Sequence, residues 1–583
     1  MRTQFLVPGL AVLLLARTAV AAPPSPATPS ADYALVNARI YTMQDWTPWA
    51  HGVAVAGDRI VYVGEPGSAG WKAAVGPRTR IYDLHGRLVL PGLTDAHTHP
   101  GEASLTSWHT ILPWTMDPDE QLSYLRSWAA THPEPTLIYA EYYPTQMFGA
   151  AGPNKALIDK YLPDRPVIWE DFSDHSAALN SRALELMGID RNTPDPEPGV
   201  SYFVRDADGN PNGWVKERAY TSRLEKLLAA IPHPPPDRVT PDDIARLLGS
   251  LSDMGVMALF DGGSSEDELA ALAMLDRQAR LPMYYEGSMV FEKLAELPAK
   301  ITELRRWQHE HGTRHVRIRT LKLYLDGTNE IGTSALLEPF ANDPSRTGEP
   351  RMSGQDLVRT MVLLNDEDLD LHIHMTGDRT FRHALDAVEA ARRELGPRWR
   401  MQVTFTHCEL IADEDFARVA PLGVYINWTP HWSGGYFQGQ QQTLGMERYN
   451  NQYRFQPIIS SGGRMTYGSD TTTLYEWARA NPFLGMQIAH TRYDVNPAYQ
   501  VYGYRKPASE RLQLKDLVRG YTLTGAAQLR LDDRLGSIEA GKLANFVVLG
   551  QDLFAVPADE IHSVTPTAVV FEGKAIRGTL DAP

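Results

Sequence analysis

Apolar residues through the middle of the chain fall into short runs of strand length, separated by stretches in which they recur at helical spacing. The strand-like runs occupy 88–95, 256–261, 283–289, 318–325, 369–374, 402–407, 424–428 and 464–469. Amphipathic stretches at 241–254 and 380–395 lie between several of them. Eight strands with helical crossovers predict an α/β fold, a (β/α)8 barrel over 88–534. The segment from about 108 to 240 is too long for one crossover. Its own strand-like runs at 137–140 and 167–169 predict an inserted subdomain, ending in His233-Pro234-Pro235-Pro236.

The two ends of the chain share a different texture. Alternating runs at 34–41, 52–55 and 59–63 flank tight turns such as Ala56-Gly57-Asp58, and the pattern returns at 545–549 and 567–571 with the turn Glu572-Gly573-Lys574. Each end is too small for a core of its own. Residues 33–87 and 535–583 are therefore expected to build one composite β-sandwich domain. Ahead of them, Arg2, the apolar run 5–16 and Ala19-Val20-Ala21 have the order of a signal peptide. That run is shorter than the roughly 20 residues a bilayer span needs. No cysteine follows it to carry a lipid. The expectation is an exported protein, periplasmic or secreted, cut near Ala22, with a Pro-rich linker at 23–32 and no stable membrane anchor.

Composition narrows the chemistry. With 43% hydrophobic and 22% charged residues the 583-residue chain is of ordinary globular make-up, which excludes a disordered or collagenous protein. A net charge of −15 opposes phosphate-backbone contact, so no nucleic-acid partner is expected. A homo-oligomer is compatible with everything above. The single cysteine, Cys408, excludes an intrachain disulfide and a cysteine-rich zinc ribbon. Histidines and carboxylates remain as metal-binding material, and these suit zinc, manganese or iron.

Three His-x-His pairs occur: His97/His99, His309/His311 and His372/His374. His309-Glu310-His311 sits in a charged stretch that reads as a solvated helix end. His97 and His99 instead end an apolar strand. Period-two alternation puts both imidazoles on one face at the strand's C-terminal end, where barrel enzymes assemble their sites. Lys322 lies inside the apolar run Thr320-Leu321-Lys322-Leu323-Tyr324-Leu325, where an unpaired ammonium is costly. It is either neutralised by a carboxylate or carboxylated by carbon dioxide into an anionic ligand. His374, His407 and Asp470 close three later runs. One strand–helix–strand step separates Lys322 from His374 and His374 from His407; two separate His407 from Asp470.

These residues resemble the amidohydrolase superfamily, specifically its amidohydrolase-3 (YtcJ-like) branch, over nearly the whole mature chain. The resemblance is carried by Leu90-Pro91-Gly92-Leu93-Thr94-Asp95-Ala96-His97-Thr98-His99, His175-Ser176-Ala177-Ala178-Leu179-Asn180, Lys322 with Asp326-Gly327, His374-Met375-Thr376-Gly377-Asp378, Gly468-Ser469-Asp470, and Gly536 to Ala544. It implies two divalent metal ions, with zinc the first expectation. His97, His99 and Asp470 would bind the more buried ion, His374 and His407 the other, and an N6-carboxylated Lys322 would bridge them. His175 and Asn180 match positions that border the pocket, and His175 either polarises the substrate carbonyl or is structural. Asn545 stands where the family usually has aspartate, and Asn427-Trp428-Thr429-Pro430-His431-Trp432 departs from the family's wording after strand seven.

The implied chemistry is hydrolysis of a small amide at a carbon–nitrogen bond other than a peptide bond, as in N-substituted formamide deformylases and other N-acyl hydrolases. Two divalent ions lower the pKa of water toward 7, giving the attacking hydroxide. Asp470 would carry the proton to the leaving nitrogen. Tyr425, Trp428, His431, Trp432, Tyr436 and Phe437 are either packing or an apolar wall for an aromatic substituent. Cys408 reads as a small buried residue. The alternatives are hydrolysis of a cyclic amide, carbamate or ester, and a catalytically idle binding or regulatory protein on the same barrel.

Overall fold

The computed structural model describes residues 30–581 apart from 114–115, 144–146, 172, 437–439 and 501–502. The signal segment and its cleavage site lie outside the described residues. Eight parallel strands form one sheet in strict sequence order. They are β1 (Leu93–Thr98), β2 (Val256–Asp261), β3 (Tyr284–Val290), β4 (Val316–Tyr324), β5 (Asp370–Met375), β6 (Val403–His407), β7 (Tyr425–Trp428) and β8 (Arg464–Tyr467). Beyond the end of β8 the seam with β1 is drawn shut: the Asp470 N–H donates to the His97 carbonyl at 2.8 Å and the Ser469 N–H to Asp95 Oδ1 at 3.0 Å. The barrel so formed is nearly closed.

Helices cover the barrel as the periodicity predicts. Pro241–Asp253 starts with Thr240 accepting from the Asp243 N–H and with Pro241 in its first turn, and buries Ile244, Leu247, Leu248 and Leu251. At roughly 1.5–3 kcal/mol per fully buried aliphatic side chain, that stripe outweighs any local propensity term. The expected 380–395 helix is observed as Asp378–Leu395.

The 88–95 run is not one strand. Leu88–Pro91 pairs with Phe546–Leu549 and with Arg39–Tyr41 in a six-stranded sheet drawn from both chain ends, while β1 starts at Leu93. Gly92 makes the passage between the two sheets. Its N–H donates to the Asn545 carbonyl, and a Cβ there would lie 2.6 Å from Met257 Sδ. A four-stranded sheet of N-terminal strands, Tyr33–Val36, Gly52–Ala56, Arg59–Gly64 and Arg80–Asp83, packs on the same core. Asn545 Oδ1 accepts from the Glu572 N–H at 2.7 Å, far from the barrel mouth.

The insertion is a six-stranded sheet of its own, from Thr110–Ile111 to Pro211–Lys216. Its antiparallel pair Ser176–Leu179 and Pro211–Lys216 is registered with Ser176 opposite Lys216. That register places His175 and Glu217 beside each other at the end of the pair, over the barrel mouth.

Candidate active site

The C-terminal ends of β1, β4, β5, β6 and β8 bring His97, His99, Lys322, His374, His407 and Asp470 to the wall of one cavity of about 470 Å³. Asp470 Oδ1 lies 3.2 Å from both His97 Nε2 and His99 Nε2, and Oδ2 lies 3.3 Å from His407 Nδ1. The His374 and His407 rings meet at 4.4 Å between centroids. Lys322 Nζ is 3.5 Å from His97 Nε2 and fully buried. Among the described residues no carboxylate forms an ion pair with Nζ, and the Asp470 and Asp261 charges act on it only from further off.

The approach of β8 to β1 depends on Gly468, where a Cβ would sit 2.4 Å from the His97 carbonyl oxygen. Two of the site residues adopt left-handed backbone, His407 at φ 72° and Asp470 at φ 49°. Asp and His occupy that region more readily than most residues, but it is still unusual, and such positions gather at functional sites. Neither was legible from periodicity.

Electrostatics keep three of the four imidazoles, His97, His374 and His407, in the neutral form that ligates metals. Burial, then the Lys322 charge, lowers His97 to about 3. His374 and His407 are held well below the ordinary value by burial first. For His99, burial works downward and the Asp470 carboxylate more than offsets it, so its value rises. Burial opposes the charge on Asp470, yet His97 and His407 hold it well below the usual carboxylate range. Desolvation lowers the Lys322 ammonium to about 7.

The Asp326-Gly327 and Thr376-Gly377 motifs form the scaffold of this wall. Asp326 accepts from the Thr376, Gly377 and Ala335 N–H groups and from Thr380 Oγ1. The Gly327 carbonyl lies 3.2 Å from His374 Nε2 and accepts from Thr376 Oγ1 at 2.8 Å. These bonds fix the ring of His374 on one side and leave Nδ1 for another partner.

His175 lines the cavity 5.6 Å from His374, ring to ring, with Nδ1 2.9 Å from Glu217 Oε2. Arg351 in turn donates to Glu217 at 2.7 Å. Burial would lower His175, but the Glu217 carboxylate raises it overall. His175 is thus a cavity residue oriented by a carboxylate. Asn180 is not: it caps the helix Ser181–Met187, accepting from the Ala183 and Val167 N–H groups and donating to the Leu162 and Arg165 carbonyls. All of its hydrogen-bonding capacity is spent on the fold.

The aromatic cluster after β7 divides. Trp432 lies face to face with His407 at 5.2 Å and lines the cavity with Tyr436. Trp428 is core, packed on Phe455 at 4.6 Å, and Tyr425 and His431 are also buried away from the cavity. Phe437 lies outside the described residues. Cys408 is a buried free thiol. His309 and His311 end the helix Leu297–His311, where Arg306 already ties Glu266 to Glu310.

Sequence reasoning missed His372. It lies beneath the site, its ring nearly parallel to those of His97 at 4.8 Å and Phe260 at 4.4 Å, which are themselves 6.1 Å apart. The signal was present: His372 shares with His374 the same i, i+2 spacing as His97 and His99. The acidic rim, Glu217, Glu330, Glu409 and Glu476, had no motif to reveal it, because these residues come from four separate loops.

The exoenzymes regulatory protein AepA of Pectobacterium carotovorum subsp. carotovorum is 27% identical over 74% of this chain and 92% of its own length. An N-substituted formamide deformylase of Arthrobacter pascens is 23% identical over 93% of this chain and 97% of its own. The crystal structure of an uncharacterized metal-dependent hydrolase from Pyrococcus furiosus, 24% identical, superimposes with a TM-score of 0.63 over 90% of this chain and 99% of that one, and so shares the fold. Residues 80–577, most of the chain, match the amidohydrolase family as a whole, and the protein belongs to that family.

Proposed function

We propose that the protein is an exported metal-dependent hydrolase that cleaves an amide-type C–N bond, N-acyl or N-formyl, in a small molecule. The observation that carries this reading is the convergence of five neutral or anionic donors and one buried lysine on a single cavity at the C-terminal barrel face. Donor atoms of His97, His99 and Asp470 lie within 4.8 Å of one another. His407 Nδ1, which faces Asp470, is buried without a hydrogen-bond partner among the described residues, as suits an atom that takes a further ligand. The donor set fits zinc: His97, His99 and Asp470 would hold one ion and His374 and His407 a second, and a carboxylated Lys322 would supply a further anionic donor. When bound, such ions acidify water and polarise a carbonyl.

The chain's own groups supply the rest. Asp470, anionic at neutral pH, accepts the proton of the attacking water and delivers it to the leaving nitrogen. Glu217 accepts from His175 Nδ1 and raises the pKa of that ring, which favours the imidazolium; its Nε2–H would then donate a hydrogen bond to the carbonyl oxygen. Trp432 and Tyr436 give the cavity an apolar wall for a substituent of the substrate. The formamide deformylase relative supports an N-formyl or N-acyl substrate.

The relative with a regulatory name favours a second reading, an idle barrel that binds without turnover. Metal analysis of the purified mature protein together with a panel of N-acyl amines decides between them. Close to two divalent ions per chain and turnover of at least one panel member are expected. One ion or none in active protein would remove the two-metal arrangement, and full metal without turnover on amides, carbamates or esters would leave only the binding protein. Export has its own check: N-terminal sequencing of natively expressed protein should begin near Ala22, and an intact Met1 on soluble protein contradicts it.

A further inference from the structure

Next to the metal-site cavity lies a second chamber of about 300 Å³, built largely by the insertion. The two share Glu102, Asp174, Arg218 and Thr472 as a common wall. The far side of the chamber is apolar: Trp108, Leu137, Leu224, Leu228 and the prolines of the 233–236 loop line it. Its charged groups are acidic with one exception. Glu141, Glu170, Glu102 and Asp174 face it, with Arg218 the one guanidinium among its lining residues.

Arg218 is largely committed, with Nε alone buried and unpartnered among the described residues. It donates to Glu102 at 2.8 Å and lies 3.6 Å from Glu170. Glu170 also accepts from the Tyr139 and Tyr220 hydroxyls. Glu141 is different: one oxygen is held by His109, while Oε2 is buried with no partner among the described residues, in a residue only 1% exposed. Asp174 Oδ1 is likewise buried and unpartnered, its other oxygen being held by Thr472. Burial, then the Glu102 charge, lifts the Glu141 carboxyl to about 8, as follows when a carboxylate is desolvated without a cation.

We infer that this chamber is a substrate subsite for an apolar, ring-sized group that carries a cationic amine. An anion would meet five carboxylates, Glu102, Glu141, Glu170, Asp174 and Asp237, against a single guanidinium that Glu102 and Glu170 already engage and of which only Nε is buried and unpartnered. A purely apolar group would fill the Trp108–Leu228 side but leave Glu141 Oε2 and Asp174 Oδ1 unpaired. A protonated amine on an aryl or alkyl body satisfies both halves, because an ammonium brings three donors and no acceptor. The volume suits one ring with a short side chain, at the small end of ligand sites. The inference rests on the proposed amide hydrolysis only in naming the guest part of a substrate, and the shared wall places that part beside the reacting bond.

Binding without turnover tests it. Isothermal titration of metal-loaded protein with benzylammonium chloride should show saturable binding at least about tenfold tighter than benzyl alcohol or benzoate. Glu141→Gln should lose about tenfold or more of the benzylammonium affinity. Leu228→Trp should fill the chamber and abolish binding while metal content is retained. Benzyl alcohol or benzoate binding as tightly as benzylammonium overturns the inference, as does unchanged benzylammonium affinity in either variant, folded and metal-loaded. If a variant fails to fold, the comparison of cation with neutral isostere on the wild-type protein still decides. Because no hydrolysis is measured, failure on every amide removes the proposed function and leaves this result standing on its own.

Discussion

Asp470→Asn is expected to lower turnover on an amide by about 10²–10⁴-fold, the usual scale for removing a positioned acid/base, or roughly 3–5 kcal/mol of transition-state stabilisation. Asparagine keeps the volume and one oxygen but cannot accept a proton. The fold should survive for two reasons. The backbone at 470 is left-handed at φ 49°, a region asparagine tolerates as well as aspartate. The hydrogen bond that holds this loop to β1 runs from the Asp470 N–H to the His97 carbonyl and does not involve the side chain. Some metal should remain, because His97 and His99 still converge. The loss should be larger for an amide than for an activated ester, whose leaving group needs no proton. Steady-state kinetics on such a pair, with metal content measured in parallel, is the check. Near-normal amide turnover would show that the proton travels elsewhere, and His175, oriented by Glu217 beside His374, becomes the next group to replace.

Lys322→Ala should lose metal and activity together, with metal falling well below the wild-type content and turnover by more than about tenfold, since even groups outside the first coordination sphere are worth that much. The argument is electrostatic. An ammonium 3.5 Å from an imidazole nitrogen, fully buried and in no ion pair with a carboxylate among the described residues, is poorly placed as a cation. Desolvation brings it down to about 7, so a substantial free-amine fraction exists near neutrality. Carboxylation joins that nitrogen to the carbon of carbon dioxide with loss of one proton, and turns the misplaced cation into an anionic donor. Truncation to alanine also opens a cavity, so Lys322→Met, which conserves volume, serves as the control. If Met restores stability but not metal, the lysine acts as a ligand. Partial rescue of Lys322→Ala by a short-chain carboxylate, and faster reactivation of metal-free wild type with bicarbonate, are expected. Unchanged metal content and rate in Lys322→Ala would reduce Lys322 to a strand residue.

Much of this was legible in the chain. Strand and helix periods alone predict eight strands in barrel order, because strands buried on both faces read as short apolar runs and their covering helices as amphipathic ones. His97, His99, Lys322, His374, His407 and Asp470 could be named because each sits at or near the end of such a run, and strand alternation dictates the face. Where the run is continuous but the sheet is not, periodicity fails. Residues 88–95 read as one strand, and only Gly92, pressed against Met257, reveals that they serve two sheets. Asn180 fails for the opposite reason. A short motif places it beside His175, and the direction of one side chain at a helix start turns it into a cap.

What the sequence determined by itself is the barrel, the composite terminal sheets and the donor set, since these follow from local periods and from residue types placed at strand ends. What only the tertiary structure decided is everything assembled across loops: the left-handed backbone at His407 and Asp470, the pairing of His175 with Glu217 through the Ser176–Lys216 register, the stacking of His372 under His97, and the acidic chamber around Glu141. These depend on side-chain direction and on contacts between residues far apart in the chain, 42 positions for His175 and Glu217 and more for His97 and His372, which no local period records.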